Sequence, residues 1–184
     1  ARFRTTVPDI AVDVRRVPAR QIAVEVQQGS LDFGALTFRP AETGLLEVPV
    51  GSDELVLLVP PSHPFSKRRQ VSMEDVGHEA IVAHNDPSPA RERVLRMFEE
   101  HHITLRIVIA LPSLDGIKRA VELKLGLALL PRRCALTEIA DGRLVAVPVA
   151  GISRRRQVTL VCRRAHRSHA ANAFLEIAQE KSGN

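Results

Sequence analysis

The stretch Val121-Glu122-Leu123-Lys124-Leu125-Gly126-Leu127-Ala128-Leu129-Leu130-Pro131 decides the fold. It reads as the end of a helix, one glycine, and a short apolar strand stopped by a proline. Just upstream, Ser113-Leu114-Asp115-Gly116 supplies the helix start. Ser113 is a good N-cap type, and Asp115 suits the positive first turn. Ile117, Ala120 and Val121 share one helical face. Gly126 falls where a helix C-terminus takes a left-handed residue. Leu127 to Leu130 is too short for a helix and carries no charge, so it reads as a buried strand. A helix feeding a buried strand is the repeat unit of an α/β sheet. The helix start at Ser113 also presents free N–H groups, a place for an anion or a polar ligand, although capping alone is the plainer role of such a serine.

Working back towards the start, Leu105, Ile107, Ile109 and Leu111 alternate as a strand. Before it, Ser88 caps a helix with Pro89 at its first position. Ala90, Val94, Leu95 and Phe98 form its apolar face, and it ends near His101-His102. Ala80 to Ala83 reads as another strand. Together these give β-α-β-α-β. Val71 to Val76 is one helical turn capped by Ser72, with Asp75 in the first turn. Leu55 to Val59 is a buried strand stopped by Pro60-Pro61, followed by an exposed loop through His63-Pro64-Phe65. Residues 37–52 read as a loop. In the first forty residues, Ile10, Val12 and Val14 alternate as a strand. Pro18 opens a helix with Ala19, Ile22, Ala23 and Val26 on one face, Gly29 ends it, and Leu31 to Leu36 is a strand. That is a βαβ unit with a parallel pair. Downstream come a short helix in Arg132 to Ile139, strands at Leu144–Pro148 and Val158–Cys162, and a last helix capped by Ser168 with Ala171, Phe174, Leu175 and Ala178 inward. Two lobes follow from this order: residues 1–81 with 156–184, and residues 82–155.

Composition narrows the classes. The chain of 184 residues is 45% hydrophobic but only 3% aromatic, with no Trp or Tyr, so its core is aliphatic and only six Phe are available for stacking. The net charge of +5 comes with dispersed basic runs at Lys67-Arg68-Arg69, Arg132-Arg133, Arg154-Arg155-Arg156 and Arg163-Arg164. No aromatics interleave them, whereas a single-stranded nucleic-acid groove wants stacking platforms, so the charge reads as solvated surface. Cys134 and Cys162 make neither a disulfide framework nor a metal site by themselves, which fits a reducing compartment. There is no apolar run of membrane-spanning length and no signal-peptide pattern. The sequence starts at Ala1 inside what reads as a structured region, as a fragment of a longer protein would.

Catalysis finds little support. No nucleophile-elbow glycine pattern surrounds any Ser. His166 and His169 lie at i, i+3 but lack an HExxH or carboxylate frame, so they read as surface histidines and no metal is expected. His101 and His102 suit a helix C-terminus. Asp32, between Leu31 and Phe33, reads as a structural carboxylate at a strand edge.

Taken in order, Gly29-Ser30-Leu31-Asp32-Phe33-Gly34, Asp53 to Pro60, His63-Pro64-Phe65, Val71 to Val76, Arg91 to Phe98, Ser113 to Pro131, Gly142-Arg143-Leu144-Val145 and the helix from Ser168 resemble the effector-binding domain of LysR-type transcriptional regulators. Each piece alone is weak; their order and spacing are specific. The resemblance spans nearly the whole chain. It implies an α/β, two-lobed type 2 periplasmic-binding-protein-like fold: Rossmann-like lobes joined by a two-strand hinge, with a ligand cleft between them. Two departures stand out. The family usually carries Gly at the position of Lys124, and the first strand of the domain, with the start of its first helix, is missing. The resemblance implies a cytoplasmic, non-enzymatic sensor with no cofactor and no membrane contact. It implies a homodimer, or a tetramer in the parent, and DNA contact only through a helix-turn-helix outside these residues. The ligand groups it implies are Thr37 and Arg39, then Asn85, Asp86 and Ser88, then Ser113 and Leu114. Hydroxyls, helix N-termini and one guanidinium suit a small carboxylate. A solute-binding protein of a transport system, or a small enzyme on the same frame, remain the other classes that such a fold serves.

Overall fold

The computed structural model describes residues 2–85, 89–152, 156–165 and 167–180. Its contacts divide the chain into two compact units: residues 1–52 with 157–184, and residues 53–156.

The first unit carries helices α1 (Arg2–Thr6) and α2 (Ala19–Gln28) and strands β1 (Phe33–Leu36) and β2 (Leu45–Asp53), the last of which ends at the crossing. Strand β8 (Arg156–Arg163) and helix α7 (His169–Glu180) complete it. The sheet order is β1-β8-β2, with β1 antiparallel to β8. Period-2 alternation sends Val161 to one face, with Ala23, Val26, Leu36 and Leu45, and sends Leu160 and Cys162 to the other, with Val48 and Leu175. Thus α2 covers one face and α7 the other. Gly29, at φ +88°, closes α2 as its sequence position predicts.

Three expectations fail in this unit. Residues 11–18 have no regular secondary structure, and Val12 and Val14 are 44% and 88% exposed. An alternating pattern makes a strand only where a neighbour completes the ladder, and none of the described strands pairs with this one. The expected parallel pair is therefore absent among the described residues, and β1 pairs antiparallel with β8 instead. Residues 45–53 form β2, not a loop. Pro49 and Gly51 disguise it, and Pro49 is tolerated because β2 is the last strand in its sheet order.

The second unit contains strands β3 (Leu55–Val59), β4 (Ala80–His84), β5 (Arg106–Leu111), β6 (Ala128–Pro131) and β7 (Val145–Val147). Its helices are α3 (Met73–Gly77), α4 (Pro89–Glu100), α5 (Leu114–Glu122) and α6 (Leu136–Ala140). Strand β3 is buried along its whole length between β6 and β7, antiparallel to both. This pairing puts β3 in the second unit, so the first crossing lies at 52/53, whereas the sequence places it near 82. Strands β4 and β5 are parallel, and Leu127 extends the pairing through a parallel bridge to Ile81. Leu55, Leu57 and Val59 face a core shared with Phe98 of α4; Val56 and Leu58 face one shared with Ile117 and Val121 of α5. Helices α4 and α5 therefore cover opposite faces, as in a doubly wound sheet.

Two local readings are corrected here. The His63–Phe65 segment is not an exposed loop. Residues Pro64–Lys67 form a 3₁₀ turn, Phe65 is buried, and the Phe65 N–H donates to His63 Nδ1 at 3.2 Å. The left-handed residue after α5 is Lys124, at φ +62°, not Gly126. Gly126 serves a different end: a Cβ there would stand 2.7 Å from the Ala80 carbonyl oxygen, so its hydrogen lets β6 close on β4.

Candidate functional site

Parallel strands deliver their carboxyl ends to one edge, and the helices that follow start there. At that edge of the β4–β5 pair, the Asn85 N–H donates to the Leu111 carbonyl at 3.0 Å, so the residues leaving both strands are held together. Ser113 caps α5, its Oγ accepting from the Gly116 N–H at 3.0 Å and its carbonyl from Ile117 N–H at 3.1 Å. Intrahelical geometry then leaves the N–H groups of Leu114 and Asp115 directed out of the helix start. The structure thus brings Asn85, Ser113 and Leu114 to one place. Arg91, in the first turn of α4, joins them by donating to the His84 carbonyl. Sequence reasoning did not name Arg91 as a site residue; an arginine in the first turn of a helix that follows a strand end is the signal that points to it.

Charge at the helix start is balanced sideways. Asp115 pairs with Lys118 at 3.0 Å, and Lys118 reaches on to Glu138 of α6 at 2.7 Å. The hydrogen bond from Lys118 holds the Glu138 carboxyl below its ordinary range, and Glu138 in turn raises the Lys118 ammonium.

The remaining predicted groups are dispersed. Thr37 and Arg39 follow β1 in the first unit. Arg39 is not a bare guanidinium: its Nε lies 3.4 Å from Glu47 of β2, and its side chain is 87% exposed. Asp86 and Ser88 lie outside the described residues. Asp32 pairs with Arg163 at 3.9 Å, which suits a structural carboxylate. Cys162 is a buried thiol whose pKa is raised by burial, and Cys134 is a half-buried thiol. Among the described residues no group of three His, Cys, Asp or Glu is placed to hold a metal. His166 lies outside the described residues and His169 is exposed.

A family model described as the LysR substrate binding domain matches residues 1–183. The chain belongs to this family. Among curated relatives, a probable RuBisCO transcriptional regulator of Trichormus variabilis is 31% identical over 179 residues, covering 94% of this chain and 53% of the relative. The RuBisCO operon transcriptional regulator of Allochromatium vinosum is 35% identical over 124 residues, covering 67% of this chain and 41% of the relative. The chain therefore spans about half the length of the curated relatives it matches. Those relatives are transcriptional regulators, not enzymes.

Solved structures agree on the fold. The regulatory domain of CcmR from Synechocystis PCC6803, in complex with 2-PG, superposes with a TM-score of 0.90 at 21% identity, covering all 100% of this chain and 88% of that one. The effector-binding domain of QuiR in complex with shikimate gives 0.82 at 19% identity, covering 97% and 86%. The LysR-family fold is therefore the mixed α/β, type 2 periplasmic-binding-protein-like one that the sequence resemblance implies. Among the described residues no helix is long and apolar enough to cross a membrane.

Proposed function

We propose that this LysR-family domain senses a small carboxylate effector and passes that signal to transcription control by a longer parent protein in the cytoplasm. The family match over residues 1–183 carries the reading. The relatives' names support the transcriptional role, and the two ligand complexes among the fold neighbours support a small acidic effector. In this reading Ser113, Leu114 and Asn85 supply neutral donors from the second unit, joined by Asp86 and Ser88. Thr37 and Arg39 supply a hydroxyl and a guanidinium from the first. The helix-turn-helix that reads DNA belongs to the parent outside these residues. The parent acts as a homodimer, with α2 at the contact, or as a tetramer. In this reading the domain binds its effector without transforming it, and the Ser113 oxygen serves the helix start by accepting from the Gly116 N–H.

Calorimetry tests the reading. The chain and the full-length parent are titrated with a panel of small carboxylates and phosphorylated acids that includes 2-PG and shikimate. One member of the panel binds both with one-to-one stoichiometry and changes the parent's affinity for its operator. Binding to neither protein across the panel overturns it. Turnover of the bound compound would favour the enzyme reading instead.

A further inference from the structure

Lys118 is one of two charged residues buried among the described ones, and it lies on α5, the helix that Ser113 caps. A helical side chain leans towards the N-terminus, so the Lys118 ammonium comes back beside the first turn. There it holds two carboxylates, Asp115 Oδ1 at 3.0 Å and Glu138 Oε1 at 2.7 Å. One cation between two anions leaves one negative charge over. Burial decides where that charge stands. Glu138 is the closer partner, its side chain is only 13% exposed, and its hydrogen bond is the main cause that raises the Lys118 pKa. The Asp115 side chain is 92% exposed. A pair away from water attracts more strongly, so the surplus negative charge belongs to Asp115, in the first turn of α5.

The same turn carries the proposed effector groups, and the inference rests on that reading. The Leu114 and Asp115 N–H groups, the Ser113 hydroxyl and Asn85 are neutral, and a helix start carries only about half a positive charge. Arg91 adds a cation, held by its bond to the His84 carbonyl, and the acidic Glu92 follows it in the first turn of α4. An anion on the Asp115 N–H sits within one residue of the Asp115 carboxylate. That is inside the Debye length of about 8 Å at physiological salt, so their repulsion survives screening. This edge can match one negative charge; a second meets Asp115.

We propose that Asp115 is the specificity-determining residue for effector charge: the site takes a small hydroxylated acid with a single carboxylate and turns away the phosphate ester of the same acid. Lys118 and Glu138 are positioning residues. Lys118 holds Asp115 at the turn, and Glu138 keeps Lys118 from neutralising it. A phosphate ester adds a charge of about −1.5 to −2 at neutral pH, all of it facing the same carboxylate.

The test is calorimetry on the full-length parent with matched pairs: glycolate and phosphoglycolate, lactate and phospholactate, shikimate and its phosphate ester. The expected result is that the unphosphorylated acid of a pair binds at least about tenfold more tightly than its ester. Asp115→Asn, at an exposed side chain, narrows that ratio about five- to tenfold by tightening the ester. Glu138→Gln narrows it in the same direction without altering the first turn, because Lys118 then serves Asp115 alone. Asp141→Asn removes the same charge from the turn after α6 and leaves the ratio unchanged. Tighter binding of the ester by the unmodified parent overturns the proposal, and so does a ratio that Asp115→Asn does not move. An equal change in Asp141→Asn overturns it in favour of an effect of net charge. These three results leave the carboxylate-sensor reading standing. Binding of no acid in any pair, by any of these proteins, overturns that reading and the proposal together.

Discussion

Ser113 uses one oxygen twice. Its lone pair accepts from the Gly116 N–H at 3.0 Å, which leaves the hydroxyl proton to donate outward beside the first-turn N–H groups of α5. Ser113→Ala therefore removes a cap worth about 1 kcal/mol. If Ser113 holds the carboxylate of the proposed effector, the substitution also removes a charge-assisted hydrogen bond worth about 1.5–3 kcal/mol, or about ten- to a hundredfold in affinity. Calorimetry on the parent, set beside a thermal melt, separates the two; unchanged affinity returns the residue to capping alone. The turn after α5 is equally specific. Lys124 pays for φ +62° with a Cβ that glycine lacks. Lys124→Gly is expected to stabilise the domain by about 0.5–1 kcal/mol in urea unfolding, the relief of strain outweighing glycine's added chain entropy. Gly126→Ala is expected to destabilise it by about 1–3 kcal/mol, because the new Cβ meets the Ala80 carbonyl at 2.7 Å and pushes on the Ile81–Leu127 bridge. The Ser113 cap was legible in the sequence because serine has a strong positional preference. The Lys124 turn was not, because nothing about a lysine marks a left-handed backbone.

The second unit's elements could be read from sequence wherever pattern and pairing agree, as in the buried run of β3 and the cap, helix and strand from Ser113 to Leu130. Among the described strands, residues 10–14 have the pattern without a neighbour, and β2 has a neighbour without the pattern. Both errors arise because a ladder is a property of two segments. The resemblance implies Asn85 and Ser113 as members of one ligand set, and the parallel register of β4 and β5 is what brings their two strand ends side by side. Between elements, the Lys118–Glu138 contact clips α5 to α6, with Lys118 and Glu138 both largely buried at side-chain exposures of 11% and 13%. Lys118→Met leaves the Glu138 carboxylate without its cation and is expected to cost about 1–3 kcal/mol. Adding Glu138→Leu should restore most of the loss, and a double-mutant cycle in urea isolates the coupling. The pH dependence has a definite sign. The Glu138 pKa is lowered in the fold, so its contribution is present above the unfolded value of about 4.3 and is lost as pH falls through the lower folded value. The Lys118 pKa is raised, so its contribution is present below about 10.4 and is lost as pH rises through the higher folded value. The coupling is therefore expected to be full near pH 7 and to collapse only at strongly acid or strongly alkaline pH.

Over the whole molecule, the question is what a net charge of +5 does. The basic runs could have formed a phosphate-binding track, but the fold pairs four of their arginines locally. Arg68 pairs with Asp75 at 3.1 Å, Arg132 with Glu54 at 3.9 Å, and Arg133 with Asp53 at 3.4 Å. Arg163 donates to the Val26 carbonyl at 3.1 Å at the end of α2 and pairs with Asp32 at 3.9 Å. An arginine already facing a carboxylate gains less from a phosphate, because the carboxylate stays behind to repel it. Surface pairs of this kind add little to stability, about 0–1 kcal/mol each, but they lower the potential a polyanion meets. The expected outcome is weak, sequence-independent binding of duplex DNA, with a Kd on the order of 10⁻⁵ M at physiological salt and a steep decline as salt rises, since what remains is counterion release. Fluorescence anisotropy with two unrelated short duplexes over a salt series measures both quantities. Equal affinities falling together place sequence reading elsewhere in the parent, as the sensor reading requires. Nanomolar, salt-resistant binding to one duplex would mean that this domain reads DNA itself, and the arginine runs would then be its contact surface.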